Sequence, residues 1–418
     1  MVLPRKVTGF ILGCIALLAI SGAARADVAL PLSILSEANN EFATDLYGKL
    51  STKSGNLFFS PYSIATALDM AFVGAKNDTA TEIATMLHFE HLQASDNANM
   101  LRTTLLENIK KHELLDRTQQ DGMELHVANA LWGKEGYPFK PDFIADIHDN
   151  FSSPFTPIDF SNEPAARGKI NDWVEYQTKG KIKDLIAPGV LDPGSSRLVL
   201  TNAIYFKAAW AEQFEKAATQ KSVFHVTPNQ TIPTDMMNKV GYFSLARLDG
   251  FRLLNIPYKS NEASMIILLP DRADGIATIE NSLTGEKIES WINQAKPIHV
   301  ALSLPKFKVT DSFMLKDQLV ALGMKRAFYA GLADFTGIAD VPNDPLYINA
   351  VIHKAFIDVD EEGTEAAAAT AVLMTANAAA PGQPESFVAD HPFLYMIRAN
   401  HTGDILFIGR LVDPASES

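Results

Sequence analysis

Cysteine is almost missing from this chain. Its 418 residues hold one, Cys14, inside an N-terminal apolar run. No disulfide framework can form, and a chain of this length relies on its hydrophobic core instead. A lipid-anchor cysteine would follow a completed apolar run. Here Ile15, Ala16, Leu17 and Leu18 continue it, which argues against an anchor. No other apolar run is long enough to span a bilayer. Positive charge is scarce as well: 36 Lys and Arg face 49 Asp and Glu, a net charge of −13. That balance disfavours nucleic acid or an anionic membrane as a partner. Gly/Ser linkers, charge blocks and internal repeats are also lacking, so one large domain is expected where length alone suggests two. Catalytic signatures are missing too: no G-x-S-x-G elbow, P-loop, G-x-G-x-x-G or H-E-x-x-H occurs. His88 and His91 could share a helix face, but no third metal ligand stands near them. No cofactor or metal is expected.

What is present begins with the N-terminus. Arg5 and Lys6 precede the apolar run Phe10–Ile20, and Ala24-Arg25-Ala26 fits an A-x-A cleavage site. Residues 1–26 therefore read as a secretory signal peptide, leaving 27–418 as the mature domain. Since the signal carries Arg5, Lys6, Arg25 and no acid, removing it makes the chain more acidic still. The expected location is extracellular, or periplasmic in a bacterium. Sequons such as Asn229-Gln230-Thr231 matter only if the host glycosylates.

Apolar spacing then predicts helices early and strands late. Leu35, Ala38, Phe42, Leu46 and Leu50 share one helical face. "NLFFSPYSIATALDMAFVGA" reads as a short strand, a turn and a helix with Pro61 in its first turn. "TATEIATMLHF" is a helix with Thr79 or Thr81 as cap. Residues 95–118 form an amphipathic helix, and "ARGKINDWVEYQTKGKI" another, with Ile170, Trp173 and Val174 on one face. "LHVANALWG", "RLVLTNAIYFKAAW", "FRLLNIPY", "SMIILLP", "IHVALSLPKFKV" and "LYINAVIHKAFIDVDEEG" read as strands. "FLYMIRANHTGDILFIGRLV" reads as a hairpin turning at Asn400–Gly403. The pattern is α+β, built on mostly antiparallel sheets.

The stretch "DVDEEGTEAAAATAVLMTANAAAPG", from Asp358 to Gly382, is unusual. Asp358, Asp360, Glu362 and Gly363 fall at EF-hand positions, but the twelfth place holds Ala369 where a bidentate glutamate is needed. Its alanines favour a helix by intrinsic propensity. Yet Thr364, Ala366, Ala368, Thr370, Val372, Met374 and Ala376 would share one uncharged face of a strand, and no proline interrupts before Pro381. Propensity and pattern disagree, which suggests a segment with two states.

These residues resemble the serpin family. "EEGTEAAAATA" (Glu361–Ala371) is similar to the hinge of an inhibitory reactive-centre loop, and "FVADHPFLYMI" (Phe387–Ile397) to the C-terminal signature. "NLFFSPYSIATAL", "INDWVEYQTKGKI" and "TNAIYFKAAW" resemble further segments, in family order. The resemblance covers essentially the whole mature chain. It implies three β-sheets, about nine helices and an exposed reactive-centre loop at about 361–386. It also implies a metastable suicide inhibitor: a protease attacks the loop, and the acylated loop inserts as a new strand of the main sheet, trapping the enzyme. Thr364 to Ala376 would supply roughly 43 Å of strand at ~3.3 Å per residue.

Particular positions follow from the resemblance. The hinge is Glu361, Glu362, Gly363, Thr364, Glu365, Ala366, Ala367, Ala368 and Ala369. Thr364 starts the inserted strand. The reactive bond falls between Asn377 and Ala378, although the stretch from there to Pro392 is longer than the common pattern, which leaves neighbouring bonds among Ala376–Ala380 open. Small residues there suit elastase-like or subtilisin-like serine endopeptidases over trypsin-like ones, and asparagine before the bond leaves a cysteine protease open. Ser60, Ser63, Asn202 and His353 match the shutter, a polar cluster beneath the main sheet. Independently, His353 sits amid the apolar face Val351, Ala355, Ile357 and Val359, where a buried imidazole needs partners. Trp210, Lys306 and Glu361 match the breach, where the loop first enters; Lys306 and Glu361 are expected as an exposed pair of kinetic value. Arg102, Lys110, Lys111 and Arg117 lie among Glu107, Glu113 and Asp116, so no polyanion cofactor is expected. A monomer is expected. Three functions are weighed: a secreted inhibitor, favoured because the hinge has no bulky residue or proline; a non-inhibitory serpin acting as carrier or chaperone; and a hydrolase using Ser60 and His353.

Overall fold

The three-and-four spacing of Leu35, Ala38, Phe42, Leu46 and Leu50 produces helix α1 (Leu32–Leu50) with all five side chains buried. The computed structural model describes residues 32–89, 123–151, 153–364 and 383–416. The segment expected as a signal peptide, the helix expected at 95–118, and residues 365–382, with the expected reactive bond and the hinge residues beyond Thr364, lie outside these.

Helix α2 (Pro61–Gly74) starts at Ser60, whose hydroxyl accepts the Ser63 N–H, with Pro61 in the first turn as expected. Helix α3 (Asn77–Met86) starts earlier than the sequence suggests. Neither threonine caps it: Thr79 Oγ1 accepts the Asp334 N–H, and Thr81 Oγ1 donates to the Asn77 carbonyl. Helix α4 spans Pro141–Phe151, and α5 spans Glu163–Gln177 behind an Asn162 cap. The short helices α6 (Ile276–Glu280), α7 (Gly285–Asn293) and α8 (Lys316–Ala321) complete the set among the described residues.

One sheet holds six strands in the order β10-β11-β12-β4-β2-β3. These are β2 (Met123–Lys134), β3 (Phe155–Ile158), β4 (Leu198–Ala209), β10 (Phe307–Met314), β11 (Ile348–Val359) and β12 (Gly363–Thr364). A second hydrogen-bonded network holds β1 (Leu57–Phe59), β5 (Gln220–Thr227), β6 (Gln230–Leu248), β7 (Phe251–Pro257), β8 (Ala263–Pro270), β9 (Lys296–Pro305), β13 (Glu385–Val388), β14 (Phe393–Ala399) and β15 (Ile405–Leu411). The long β6 joins two parts of it. Its first residues, to Met236, pair with β5, the stretch from Met236 to Leu245 pairs with β9, and its last residues, from Ser244, pair with β7. Divided at that strand, the fold has the three sheets that the sequence resemblance implies.

The segment expected as one strand, "IHVALSLPKFKV", is two. Pro305 has no N–H with which to continue a ladder, so β9 ends there. Lys306 forms the junction, and β10 begins in the other sheet. The polar hairpin β5–β6 carries too little apolar alternation to stand out in the sequence. Between the sheets lies a core that includes Phe206, Trp210, Tyr258, Tyr395 and Phe407. On the far side of the six-stranded sheet, α5 packs Ile170 and Val174 against Ala203 and Ile352.

Candidate functional site

The centre of the six-stranded sheet has an unusual seam. Strands β4 and β11 run parallel and pair directly from Leu198 with Ile348 to Tyr205 with Phe356. Above that point they part. The chain leaves β11 at Val359, turns through Asp360–Glu362, and returns as β12 between the two strands. Gly363 pairs with Ala209, and Thr364 pairs with Ala208 on one side and Val359 on the other, antiparallel to both. Asp360 Oδ1 shapes the turn by accepting the N–H groups of Glu362 (2.8 Å) and Gly363 (3.2 Å). Only glycine fits at 363: a Cβ there would stand 2.1 Å from the Ala208 carbonyl oxygen.

The wedge has its own receptor. Thr364 is fully buried, with its hydroxyl 2.7 Å from Tyr258 Oη. Tyr258 stacks on Trp210 at 4.8 Å between ring centroids. The Trp210 indole N–H donates to the Asp360 carbonyl (2.9 Å), and its backbone N–H donates to the Glu362 carbonyl (3.1 Å). Lys306 Nζ reaches Glu361 Oε2 at 2.7 Å, and Thr219 Oγ1 donates to Oε1 at 2.7 Å. The carboxylate of this pair is buried, with a side-chain exposure of 6% against 38% for the lysine. The pair is therefore not the exposed one that the sequence suggests. Burial pushes the Glu361 carboxyl up, but the Lys306 and Thr219 hydrogen bonds outweigh it and hold the group below its ordinary value.

Lower on the seam, Ser60, Ser63, Asn202 and His353 come together, all fully buried. One row across the sheet sets Phe313, His353, Asn202 and Asn129 side by side. His353 Nε2 accepts the Ser60 backbone N–H at 3.2 Å, while Nδ1 faces Asn202 Oδ1. An amide oxygen only accepts, so Nδ1 carries the proton and the ring is neutral. Burial pushes its pKa down to about 3, against the opposing pull of Asn202. The Asn202 amide donates to the Ser63 carbonyl at 2.7 Å, and Ser60 Oγ donates to the Leu406 carbonyl at 2.6 Å. Asn129, unremarked in the sequence, completes the cluster: Ser63 Oγ donates to its Oδ1, and its amide donates to the Ser63 carbonyl. Only its polar side chain on an otherwise apolar inward row marks it.

This geometry bears on the rival chemistries. His353 meets the backbone of Ser60 and not its hydroxyl, so the two form no nucleophile–base contact. The carboxylates at calcium-loop spacing diverge: Asp358 pairs with Lys308 at 2.8 Å, Glu362 with Lys216 at 2.5 Å, and Asp360 is taken up by its own turn. Of the hinge, Glu361 to Thr364 are placed at the top of the seam.

Comparison with known proteins matches residues 37–414 to the family model described as Serpin (serine protease inhibitor). Human Serpin B4 is 38% identical over 402 residues, covering 92% of this chain and all of that protein. Leukocyte elastase inhibitor A of Rattus norvegicus is 37% identical, covering 91% of this chain and 99% of its own length. Among solved structures, Serpin48, a highly specific serpin of the insect Tenebrio molitor, superposes with a TM-score of 0.78 at 34% identity, covering 91% of this chain and 98% of that one.

Proposed function

This chain belongs to the serpin family, and from that premise we propose that it is a secreted suicide-substrate inhibitor of serine endopeptidases. The observation that carries the reading is the wedge. Gly363 and Thr364 already occupy the first two places of an additional strand, while β4 and β11 still pair directly below. Continuing that register sets Ala366 between Phe206 and Ile357, Ala368 between Ile204 and Ala355, and Thr370 between Asn202 and His353. Met374 arrives opposite Leu198, where β4 begins. The even-numbered residues face the inter-sheet core, and small side chains enter it with least rearrangement. Their neighbours Ala367, Ala369 and Ala371 pass on the α5 side. The inserted strand runs antiparallel to both flanks, so each backbone group finds a partner on either side.

The trapped state follows from that movement. A protease acylated at Asn377, or at a neighbouring small residue, is carried the length of the seam as the loop enters. The residues around the bond favour elastase-like or subtilisin-like enzymes, a reading supported by the similarity to a leukocyte elastase inhibitor. Residues 1–26 direct the chain out of the cytoplasm. A panel of serine and cysteine proteases, scored for SDS-stable complexes and for the sequence of the released C-terminal peptide, tests the proposal. Cleavage without any stable complex across the panel would assign the chain to the non-inhibitory serpins.

A further inference from the structure

One acid in the core has no partner. Asp69 lies in the middle of α2 at 6% exposure, and its Oδ1 makes no hydrogen bond. The residues one turn away on its face are Ala65, Thr66, Phe72 and Val73. Three are apolar, and the Thr66 hydroxyl donates to the Tyr62 carbonyl at 2.9 Å. Helix α2 packs on α1, α3, α4, β2, β4 and β15, whose ionisable groups are engaged elsewhere. On α1, Asp45 meets His88 and Glu41 accepts the Glu286 N–H. Tyr47 of α1 and Arg410 of β15 both bind Glu280, and Asp78 and Glu82 of α3 bind Arg326. Glu124 of β2 takes His126 and the Lys207 of β4, and His148 of α4 meets Asp149. Burial alone acts on Asp69, and it pushes the carboxyl up to about 8. A lone carboxyl in such a place is held neutral, because a buried charge without a counter-charge is costly.

The helix that carries this acid also carries the lower part of the seam. Ser60 caps α2 and its N–H donates to His353, while the Ser63 carbonyl accepts the Asn202 and Asn129 amides. From Ser63 to Asp69 is about 9 Å along the helix axis. Helix α2 thus fixes the groups that tie β4 to β11. We propose that Asp69 is a pH-operated release of the seam: with its carboxyl protonated, α2 holds the two strands together, and loss of the proton in mildly alkaline solution loosens α2 and speeds entry of the loop. The inference rests on the inhibitory reading above. The folded chain holds this proton more tightly than the unfolded chain, whose aspartates titrate near 3.8. Stability is therefore full below that value and is lost as the pH rises from it towards 8. Near 8 the charge appears inside the folded protein. It needs water, and α2 must shift to admit it. The buried network at Asn202 and His353 then loses its fixed footing.

The test uses the full mature chain, with Asp69→Asn and Asp69→Leu beside the parent; the leucine variant serves where the amide disturbs folding. Melting temperatures are taken at pH 5.5, 7 and 8.5. Each protein is also held without protease at pH 7 or pH 9, returned to pH 7, and assayed for SDS-stable complexes with pancreatic elastase and subtilisin. From pH 5.5 to 8.5 the parent's melting temperature should fall by about 5 °C more than that of either variant. Other titrating groups are common to all three and cancel. The parent's trapping capacity should decay about tenfold faster at pH 9 than at pH 7, following the charged fraction of Asp69, and the variants' decay should change by less than about twofold. Melts with the same pH dependence in parent and variants overturn the titration of Asp69 and with it the release. Melts that separate while trapping capacity decays alike overturn the coupling to the seam and leave inhibition intact. A parent that traps neither enzyme even before incubation removes the inhibitory reading for these probes, and the release with it.

Discussion

The two ends of the β4–β11 seam are held by different chemistry. At the top, the strands are already apart, and charged or partly solvated groups gather there: Glu361 with Lys306, Glu362 with Lys216, and the Asp360 turn. Six residues down β11 from Val359, at His353, the strands are in direct contact and the polar groups are neutral and fully buried. Ion pairs near solvent exchange one partner for water at modest cost. A buried neutral network holds until all its bonds can be replaced together. Under the proposed insertion, the top would open first, and the row at His353 would resist until a strand arrives with groups of its own. In the proposed register that group is the Thr370 hydroxyl.

The largest effect expected from this contrast is on the cleaved protein. Nicking the loop by a non-target protease should raise the melting temperature by about 10 °C or more, since several kcal/mol of ladder and burial are gained at ~2–4 °C per kcal/mol. Thermal melts before and after the nick measure it. An unchanged or lower value would mean that the seam does not accept a strand and that the wedge is merely a tight turn.

Next in size is Thr364→Arg. Thr364 is buried against Tyr258 before any cleavage, and an arginine there carries an unpaired charge into the core at a cost of about 3–5 kcal/mol. Loop insertion should fail at its first step, leaving a substrate: normal cleavage, with little or no covalent complex on a denaturing gel. Glu365→Arg is the matched control. In the same register its side chain leaves the core and stands between Lys207 and Asp358, where a long cation is tolerated. Equal trapping by both variants would remove the alternation on which the insertion register depends.

How far the seam could be read from the sequence depended on what stood next to each residue in the chain. His353 is visible because apolar neighbours at every second position isolate it. Thr364 is visible as the start of an uncharged alternation. Asn129 escaped because its hydrogen-bond partner Ser63 and its row neighbour Asn202 are distant in the chain, and only the fold brings them together. Tyr258 escaped for the same reason: it closes β7 in the second sheet, and its role appears only where the sheets face each other. The break at Lys306 left a trace that the one-strand reading passed over: apolar residues stand at even positions up to Leu304 and at odd positions from Phe307, a phase shift that one regular strand does not hold. The misjudged exposure of Glu361 came from its carboxylate-rich surroundings, which suggest solvent, whereas Thr219 and Lys306 enclose it.

A smaller effect separates the two ends by acid. His353 is neutral with a pKa held at about 3 instead of 6.5. The unfolded chain binds this proton first, so stability is lost as the pH falls from about 6.5 towards 3. Asp69, buried in α2 and pushed up to about 8, runs the other way, so the informative quantity is a difference between variants. His353→Gln should melt below the parent at pH 7, because Ser60 and Asn202 lose a well-placed partner at about 1–3 kcal/mol. The gap should narrow by pH 4.5, as only the parent pays for keeping an imidazole uncharged. A gap of constant size would place the titration elsewhere.

The smallest expected change is at the top, in Lys306→Met. Glu361 has its folded pKa lowered by Lys306 and Thr219. Such a carboxylate contributes stability that is present above its unfolded pKa and is lost as the pH falls through the folded one. At pH 7 the methionine variant keeps the aliphatic stem but leaves the Glu361 carboxylate with Thr219 alone. The uncleaved protein should then melt a few degrees lower, in line with about 1–2 kcal/mol for a charge-assisted hydrogen bond. As the pH falls through the lowered carboxylate range, the carboxyl takes up a proton, the lysine is no longer needed, and parent and variant should converge. The acid windows of the two ends thus differ: the His353 contrast changes from pH 6.5 downward, whereas the Lys306 contrast holds until the carboxylate range is reached. Melts of parent and variant at pH 7, 5.5 and 3.5 distinguish them. If the Lys306 gap closes already between pH 7 and 5.5, the top of the seam is not held by the Glu361 carboxylate, and the assignment of ionic chemistry to one end and neutral chemistry to the other does not stand.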